Sequence, residues 1–153
     1  MNQLDHEAYM RLAINLARAA AASGEVPVGC VVVDGAGRVV GKGRNRREER
    51  KNALAHAEME AIAAACAAAG DFRLGSCILY VTLEPCPMCA GAILNARIPV
   101  VVFGAREENL GSCGSVINLF EERYGHRPAL YGGVLETECA DLLREFFEKL
   151  RGV

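Results

Sequence analysis

The sequence predicts an α/β protein of one domain, in which helices cover both faces of a single sheet. Segments with helical periodicity alternate with short apolar runs rich in β-branched residues, the pattern of a sheet enclosed by helices. The predicted connections are short, and no linker or internal repeat divides residues 1–153. A content of 52% hydrophobic and 24% charged residues is typical of a soluble globular protein.

The first third of the chain predicts a helix followed by a hairpin. The helix carries an apolar stripe made of Tyr9, Leu12, Ala13, Leu16, Ala17 and Ala20. Gly24 and Pro27 follow the stripe and end the helix. Two β-branched runs, 28–33 and 38–43, flank the turn sequence at 34–37, which predicts two antiparallel strands.

The middle of the chain predicts a helix, a central strand and a further helix. The helix begins near His56 and continues through an alanine-rich stretch to Gly70. Residues 77–83 are apolar almost throughout, which predicts a buried third strand. The next helix begins at Pro87, because proline fits the first helical position, where its missing N–H would have no partner. A fourth strand is predicted at 100–103.

The last third predicts a loop, a short strand and a C-terminal helix. Residues 106–128 are loop-rich, with a short helix around 116–122, and 130–135 form the fifth strand. The last helix is predicted to open at Thr137 as N-cap and to run to about residue 151. Its expected buried stripe consists of Cys139, Leu142, Leu143, Phe146, Phe147 and Leu150.

A histidine, a glutamate and two cysteines form the most informative motif. His56-Ala57-Glu58 is followed by Pro85-Cys86-Pro87-Met88-Cys89. His56, Cys86 and Cys89 are ligands that zinc prefers, and three protein ligands leave the fourth position open, as in catalytic sites. The predicted helix N-termini at His56 and Pro87 would point at the metal and help to hold the thiolates. Glu58 can move protons of a zinc-activated water, so the motif predicts a zinc hydrolase that attacks an amino-bearing base.

Two other interpretations of the cysteine pair remain open at this point. A lone Cys-x-x-Cys could be a redox pair, which would need neither the histidine nor the glutamate. It could also be half of a closed structural zinc site, which needs a fourth ligand. The candidates for that ligand are Cys30, Cys66, Cys77, Cys113, Cys139 and His126. We favour catalytic zinc, because Glu58 and its spacing have no role in a closed site.

Charge and composition limit the possible partners. The net charge is −2, but residues 42–51 contain six basic and two acidic side chains. This basic segment is either a phosphate-binding patch or a solvated loop, and composition does not separate the two. No apolar run is long enough to span a bilayer, and the first residues lack the features of a signal peptide. Two of the seven cysteines belong to the metal motif and the others are scattered singly, which suits a reducing compartment, so we expect a cytoplasmic protein without a membrane partner.

Four segments of the sequence carry a shared pattern, residues 24–29, 55–58, 79–92 and 102–106. Together they resemble the bacterial tRNA-specific adenosine deaminases, within the cytidine deaminase-like superfamily. The likeness runs from about Tyr9 to Leu150, with the core motifs in 24–114. It implies a three-layer α/β/α sandwich with a central five-stranded mixed sheet, and a homodimer that converts adenosine to inosine at the wobble position of a tRNA anticodon.

The resemblance also implies a role for individual residues. His56, Cys86 and Cys89 match the ligands of one Zn²⁺ per subunit, and Glu58 matches the proton shuttle for attack of zinc-bound hydroxide on C6. The expected contacts to the tRNA anticodon stem-loop are Asn45, Ala57, Glu84, Glu107, Phe146 and Phe147.

This sequence departs from the family pattern at three places. Glu107 stands where many members have Asp, Gly125 stands where many have Asn, and a lysine-rich tail is missing. We expect the missing tail charge to weaken RNA binding and its salt dependence.

The motif is shared with other activities. A small-molecule guanine or cytosine deaminase of the same superfamily would carry the same His-x-Glu and Pro-Cys-x-x-Cys sequences. The basic segment and the Phe103-Gly104-Ala105-Arg106 stretch argue against it, because a free base has no phosphates to bind. A zinc-stabilised binding module without activity is the other alternative, and the intact Glu58 argues against that.

Overall fold

A computed structural model describes residues 3–152, with side chains from Asp5 to Gly152. Five strands form one sheet in the order β2-β1-β3-β4-β5. The strands are β1 (Gly29–Val33), β2 (Val39–Arg44), β3 (Ile78–Leu83), β4 (Val100–Ala105) and β5 (Ala129–Gly132). Strand β1 is antiparallel to β2 and β3, whereas β3, β4 and β5 are parallel. The predicted five-stranded mixed sheet is therefore confirmed.

Helices lie on both faces of this sheet. They are α1 (Gln3–Ala22), α2 (Arg47–Arg50), α3 (Ala57–Ala69), α4 (Pro87–Asn95) and α5 (Glu136–Leu150), and a 3₁₀ turn spans Leu119–Glu121. Alternate residues of the strands point to opposite layers. Val32 and Leu79 pack with α3 and α4, whereas Val31 and Tyr80 pack with α1 and α5. This is the three-layer sandwich that the resemblance implies. No helix in the described part of the chain is long and apolar enough to cross a bilayer.

Close contact between α3 and β2 fixes the position of the helix. Gly41 and Gly43 face this helix, and a Cβ atom on Gly43 would lie 2.8 Å from the backbone nitrogen of Ala61. A Cβ on Gly41 would lie 3.0 Å from the backbone nitrogen of Ala65. The glycines of the strand and the alanines of the helix thus allow the two backbones to approach directly. Because α3 cannot shift without steric conflict, its first residues are held at one end of the sheet.

The C-terminal part differs from the prediction. Strand β5 ends at Gly132 rather than at 135, because Gly133 and Leu135 adopt positive φ values of 88° and 53°. Helix α5 begins at Glu136 after Leu135, so the predicted N-cap at Thr137 is wrong.

The predicted apolar stripes are only partly buried. Cys139 is the buried residue of α5, whereas Phe147 and Leu150 are 38% and 71% exposed because they line a surface cleft. In α1, Leu12 is 41% exposed, although Ala13, Ala17 and Ala20 are buried.

Candidate active site

The predicted metal ligands converge at one end of the sheet. The Nδ1 atom of His56 lies 3.7 Å from the Sγ of Cys86 and 3.5 Å from the Sγ of Cys89. A tetrahedral zinc ion bonds nitrogen at about 2.0–2.1 Å and sulfur at about 2.3 Å, which places the two donor atoms about 3.6 Å apart. The donor set and its spacing therefore fit a zinc ion without rearrangement.

The cluster contains three donors rather than four. Among the described residues, His56, Cys86 and Cys89 form the one group of three or more potential ligands, with all donor atoms within 4.8 Å of one another. None of the cysteines proposed as a fourth ligand joins this group, and His126 bonds the backbone oxygen of Ile98 instead. A closed structural site is therefore not formed, and the fourth coordination position is left to a small molecule.

The histidine and the two cysteines are placed by the N-terminal ends of two helices. His56 is the N-cap of α3, and Cys86 is the N-cap of α4, with Pro87 at the first helical position. Neither side chain caps its own helix. The positive ends of two helix dipoles therefore meet at the cluster, where they favour thiolates. The predicted helix starts near His56 and at Pro87 are confirmed.

The electrostatics of the cluster favour a single thiolate, at Cys86, because the hydrogen bond to that thiolate and then burial raise the pKa of the Cys89 thiol. The pKa of the Cys86 thiol is lowered to about 4, first because its thiolate accepts a hydrogen bond from Cys89 and then because it accepts one from His56. These hydrogen bonds outweigh the burial of the thiol, which acts in the opposite direction. A thiolate is the form that binds a metal ion.

Glu58 lies in the first turn of α3 and is 4% exposed. Burial raises the pKa of its carboxyl group to about 7, so the group can take up and release a proton near neutral pH. The carboxylate does not belong to the three-donor cluster, but it lines the same cavity. This arrangement suits a proton carrier beside a metal.

The cavity at the cluster has a volume of about 120 Å³. Val26, Val28, Leu83 and Leu110 supply its apolar walls. The polar groups come from the metal-ligand cluster, Glu58 and the loops on either side. An apolar cavity with a few convergent polar groups is the usual form of a small-molecule site.

Asn45 and Ala57 connect one wall to the metal site. The Oδ1 atom of Asn45 accepts a hydrogen bond from the N–H of Ala57 at 3.0 Å. Asn45 thus caps α3 in place of His56, whose ring faces the cysteines. Its Nδ2 group is left as a donor on the cavity wall. The Nδ2 group and the second lone pair of Oδ1 therefore remain for the predicted contact of Asn45 to a base edge.

Glu84 organises the opposite wall. Its buried carboxylate accepts hydrogen bonds from the backbone N–H groups of Glu107, Cys113 and Ser115, and from the Ser115 hydroxyl. Burial acts to raise the pKa of this carboxyl, but the hydrogen bonds from Ser115 and the loop backbone lower it overall. Both oxygens of Glu84 are engaged by the loop, so the side chain shapes the wall, and its contact with substrate stays a prediction.

Glu107 lines the cavity, but its side chain also has a local partner. Its carboxylate accepts a hydrogen bond from the N–H of Asn109 at 2.8 Å.

Gly125, which stands where many family members have Asn, has a φ of 80°. Glycine and asparagine are the residues that adopt this conformation most readily. The exchange of Asn for Gly therefore preserves the backbone there.

Phe146 and Phe147 lie on the last turns of α5, with ring centroids 5.4 Å apart in an edge-on arrangement. They line a second cleft of about 370 Å³. Val26, Asn45 and Arg47 line both this aromatic cleft and the metal cavity, so the two spaces adjoin. The aromatic pair is thus beside the cavity rather than in the core.

Ion pairs neutralise part of the basic segment. Arg44 and Arg46 each lie 3.0 Å from the carboxylate of Glu49, and Arg46 lies 2.7 Å from that of Glu60. Arg50 is also 3.6 Å from Glu60. Arg44 is therefore a structural cation that holds α2, and Arg46 holds the loop to both α2 and α3, so the segment is not a uniform phosphate-binding patch.

Sequence reasoning did not identify two carboxylates that support this wall, Glu25 and Glu60. The carboxylate of Glu60 accepts a hydrogen bond from Arg46, which lies fourteen residues earlier in the chain. Glu25 is 2% exposed and accepts hydrogen bonds from two backbone N–H groups of α2. The one signal in the sequence that could have indicated a buried carboxylate here is the position of Glu25, a charged residue next to the apolar run that leads into β1.

An open three-donor metal site beside a buried carboxylate defines a metal-dependent hydrolase. Comparison with known families is more specific. A family model described as the cytidine and deoxycytidylate deaminase zinc-binding region matches residues 3–105. The tRNA-specific adenosine deaminase of Bacillus subtilis (strain 168) is 47% identical over 146 residues, which cover 95% of this chain and 90% of that protein.

Solved structures agree with this result. A chain from a study of A-to-I editing by tRNA:A34 deaminases at the wobble position of transfer RNA has a TM-score of 0.84 and 43% identity, and the match covers 88% of this chain and 98% of that one. A guanine deaminase from Nitrosomonas europaea has a TM-score of 0.81 and 26% identity, with 92% and 83% covered. The chain belongs to the cytidine and deoxycytidylate deaminase family and, within it, to the tRNA-specific adenosine deaminases.

Proposed function

We propose that this enzyme hydrolyses adenosine to inosine and ammonia at the wobble position of a tRNA anticodon. The observation that carries the proposal is the open cluster of His56, Cys86 and Cys89 with Glu58 in the same cavity. Relatives that match nearly the whole chain and are named tRNA-specific adenosine deaminases support the choice of substrate.

The chemistry divides between a metal ion and one carboxylate. His56, Cys86 and Cys89 would hold one Zn²⁺ per subunit, which would lower the pKa of a water to near 7 and so make a nucleophile available at neutral pH. Glu58 takes a proton from the attacking water and transfers it to N1 of the adenine ring. Glu58 then takes the second proton from the hydroxyl group now bonded to C6 and delivers it to the amino group, which leaves as ammonia while the C6 carbonyl forms. Its burial keeps this carboxyl ready for both steps.

The walls of the cavity position the base. Asn45 donates from Nδ2 to an acceptor on the purine edge, while Glu84 and Glu107 bound the ring, and the buried Ala57 contributes by holding the Asn45 side chain through its N–H. The adjoining cleft gives flanking bases an aromatic surface on Phe146 and Phe147. Stacking on aromatic side chains is the usual way in which proteins hold unpaired RNA bases.

The basic segment contributes through one residue in particular. Arg47 is exposed, lines both spaces, and has no ion-pair or hydrogen-bond partner for its guanidinium among the described side chains. The other arginines at this wall are held by Glu49 and Glu60. We therefore assign the RNA phosphate contact at the cavity mouth to Arg47.

The structure also suggests a surface for a second copy of the chain. A shallow apolar groove between α3 and α4 is lined by Ile62, Cys66, Phe72 and Ala92, and Phe72 is 60% exposed. A homodimer would cover this groove, and from the family resemblance we expect the partner to help form the RNA site. The mass of the protein in solution tests this, since a stable monomer with full activity on tRNA would contradict it. We expect the dimer to work in the cytoplasm, where its tRNA substrate and reduced cysteines are found.

The decisive experiment is incubation of the purified protein with total bacterial tRNA, followed by sequencing for inosine. We expect inosine at the wobble position and nowhere else. Parallel reactions with guanine and cytosine test for deamination of a free base. This is the alternative activity, because a guanine deaminase has a similar structure. Release of ammonia from a free base without inosine in tRNA would overturn the proposal.

A further inference from the structure

Glu25 is a buried carboxylate that the mechanism does not use. Its two oxygens accept hydrogen bonds from the N–H groups of Glu48 at 3.1 Å and Glu49 at 2.7 Å. Both groups belong to α2, whose own N-cap residue, Arg46, makes no side-chain capping bond. A helix of four residues is not stable by itself. Glu25 lies in the segment between α1 and β1, so α2 is held in place by a side chain from another part of the chain.

The position of α2 determines where one cation lies. Arg47 is the first residue of this helix and lines both the metal cavity and the aromatic cleft. The start of the helix is pinned because the Arg46 N–H bonds the Ala55 carbonyl, and its end closes on itself because the Asn52 N–H bonds the Arg47 carbonyl. With α2 held by Glu25 and Ala55, the helix places the Arg47 side chain at the junction of the two spaces.

We propose that Glu25 is a positioning residue that, through α2, directs Arg47 to the phosphate beside the nucleotide in the cavity. The inference rests on the proposed function, because a phosphate occurs at that place only when the substrate is a nucleotide chain. The pair then determines specificity: it strengthens binding of a polynucleotide and does nothing for a free base. Arg47 contacts the substrate, whereas Glu25 acts only through the helix.

The charge of Glu25 makes the proposal testable. A carboxylate near the RNA path repels phosphate, so removal of its charge alone should strengthen binding. If Glu25 instead serves to hold α2, Glu25→Gln should weaken binding, because an amide offers one acceptor where two N–H donors need partners. The two explanations predict changes of opposite sign.

The test compares Glu25→Gln, Arg47→Ala, the double variant and the control Lys42→Ala. Lys42 is exposed and forms no ion pair among the described residues, but it lies on the α1 side of β2, beside Asn15 and Leu16. The control thus removes the same charge from the same segment, away from the cavity. Binding and turnover of an anticodon stem-loop are measured over a salt titration, together with zinc content and melting temperature.

We expect Arg47→Ala to raise KM several-fold with little change in kcat, and to reduce the salt slope by about 0.7–0.9, as for one lost phosphate contact. Glu25→Gln should change KM and the slope in the same direction, and the double variant should resemble Arg47→Ala alone. Lys42→Ala should leave both near wild type. Zinc content should be unchanged in every variant.

Three results would overturn the inference: tighter or unaltered binding by Glu25→Gln, additive losses in the double variant, or an equal loss in Lys42→Ala. Should Glu25→Gln fail to fold, Glu25→Asp repeats the test, since it keeps the charge but its shorter side chain cannot reach both amides. A wild-type enzyme that makes no inosine in tRNA contradicts the proposed function itself. A wild-type enzyme that makes it, with Glu25 variants unaffected, contradicts only the positioning role.

Discussion

Replacement of Glu58 by glutamine should separate proton transfer from metal binding. The side chain is 4% exposed and almost isosteric with glutamine, so the change creates no cavity. It lies outside the cluster of three donors, so zinc content should stay at about one ion per chain. General acid–base transfer typically contributes about 10²–10⁴ in rate. At about 1.36 kcal/mol for each factor of ten, the barrier should rise by about 2.7–5.4 kcal/mol.

Cys86→Ala provides the contrast within the same site. This change removes a donor that lies 3.7 Å from His56 Nδ1 and is the N-cap residue of α4. Metal binding is coupled to folding, so the variant should lose zinc and melt at a lower temperature. Metal analysis, thermal melting and the inosine assay, applied to both variants, give three independent measurements.

The two variants should therefore lose different properties: Glu58→Gln should lose catalytic rate, and Cys86→Ala should lose zinc and stability. Glu58→Gln should bind tRNA and melt like the wild type while it deaminates at least a hundredfold more slowly. Deamination by Glu58→Gln at the wild-type rate would refute the assignment of the proton carrier. Loss of zinc from Glu58→Gln would show instead that the carboxylate is a ligand.

Three further predictions follow from packing, charge and metal binding. Gly43→Ala should destabilise the protein by about 1–3 kcal/mol, because its Cβ would meet the backbone of α3; Gly75→Ala, whose Cβ would meet nothing within 4 Å, is the matched control in denaturant unfolding. The pKa of Glu49 is lowered by hydrogen bonds from Arg44 and then Arg46. These ion pairs therefore stabilise the fold above the unfolded pKa and are lost as pH falls through the folded value. The difference in melting temperature between wild type and Glu49→Gln should shrink from pH 6 to pH 3, and a constant difference would contradict the ion-pair assignment. Chelation of zinc should lower the melting temperature and abolish deamination, and re-addition of zinc should restore both.

The metal site could be predicted from the sequence because its chemistry is local. Each ligand motif occupies a few consecutive residues, and Pro87 marks the start of a helix where its ring is tolerated. The same holds for the strands, where β-branched runs such as Gly29–Val33 are buried along their whole length. Spacing and residue type were sufficient in these segments.

The loops could not be predicted because their contacts are distant in sequence. Glu25 meets Glu48 and Glu49 more than twenty residues later, and Glu84 meets Ser115 over a similar gap. No pattern in the chain indicates which carboxylate accepts from which backbone N–H group. The predicted start of α5 is also wrong, because Leu135 adopts an αL conformation that leucine disfavours and that the sequence does not indicate.

The proposed metal ligands and the proposed substrate-binding walls are held in place by different parts of the fold. His56 and Cys86 occupy N-cap positions on helices packed against a rigid sheet, so the catalytic geometry depends on the core. The two walls are held by Glu25 and Glu84, which bind loop backbone rather than metal. A guanine deaminase with a TM-score of 0.81 at 26% identity shows how widely the core is shared. Changes in the wall loops can therefore alter the substrate while the metal chemistry stays intact, and substrate specificity has to be sought in those loops.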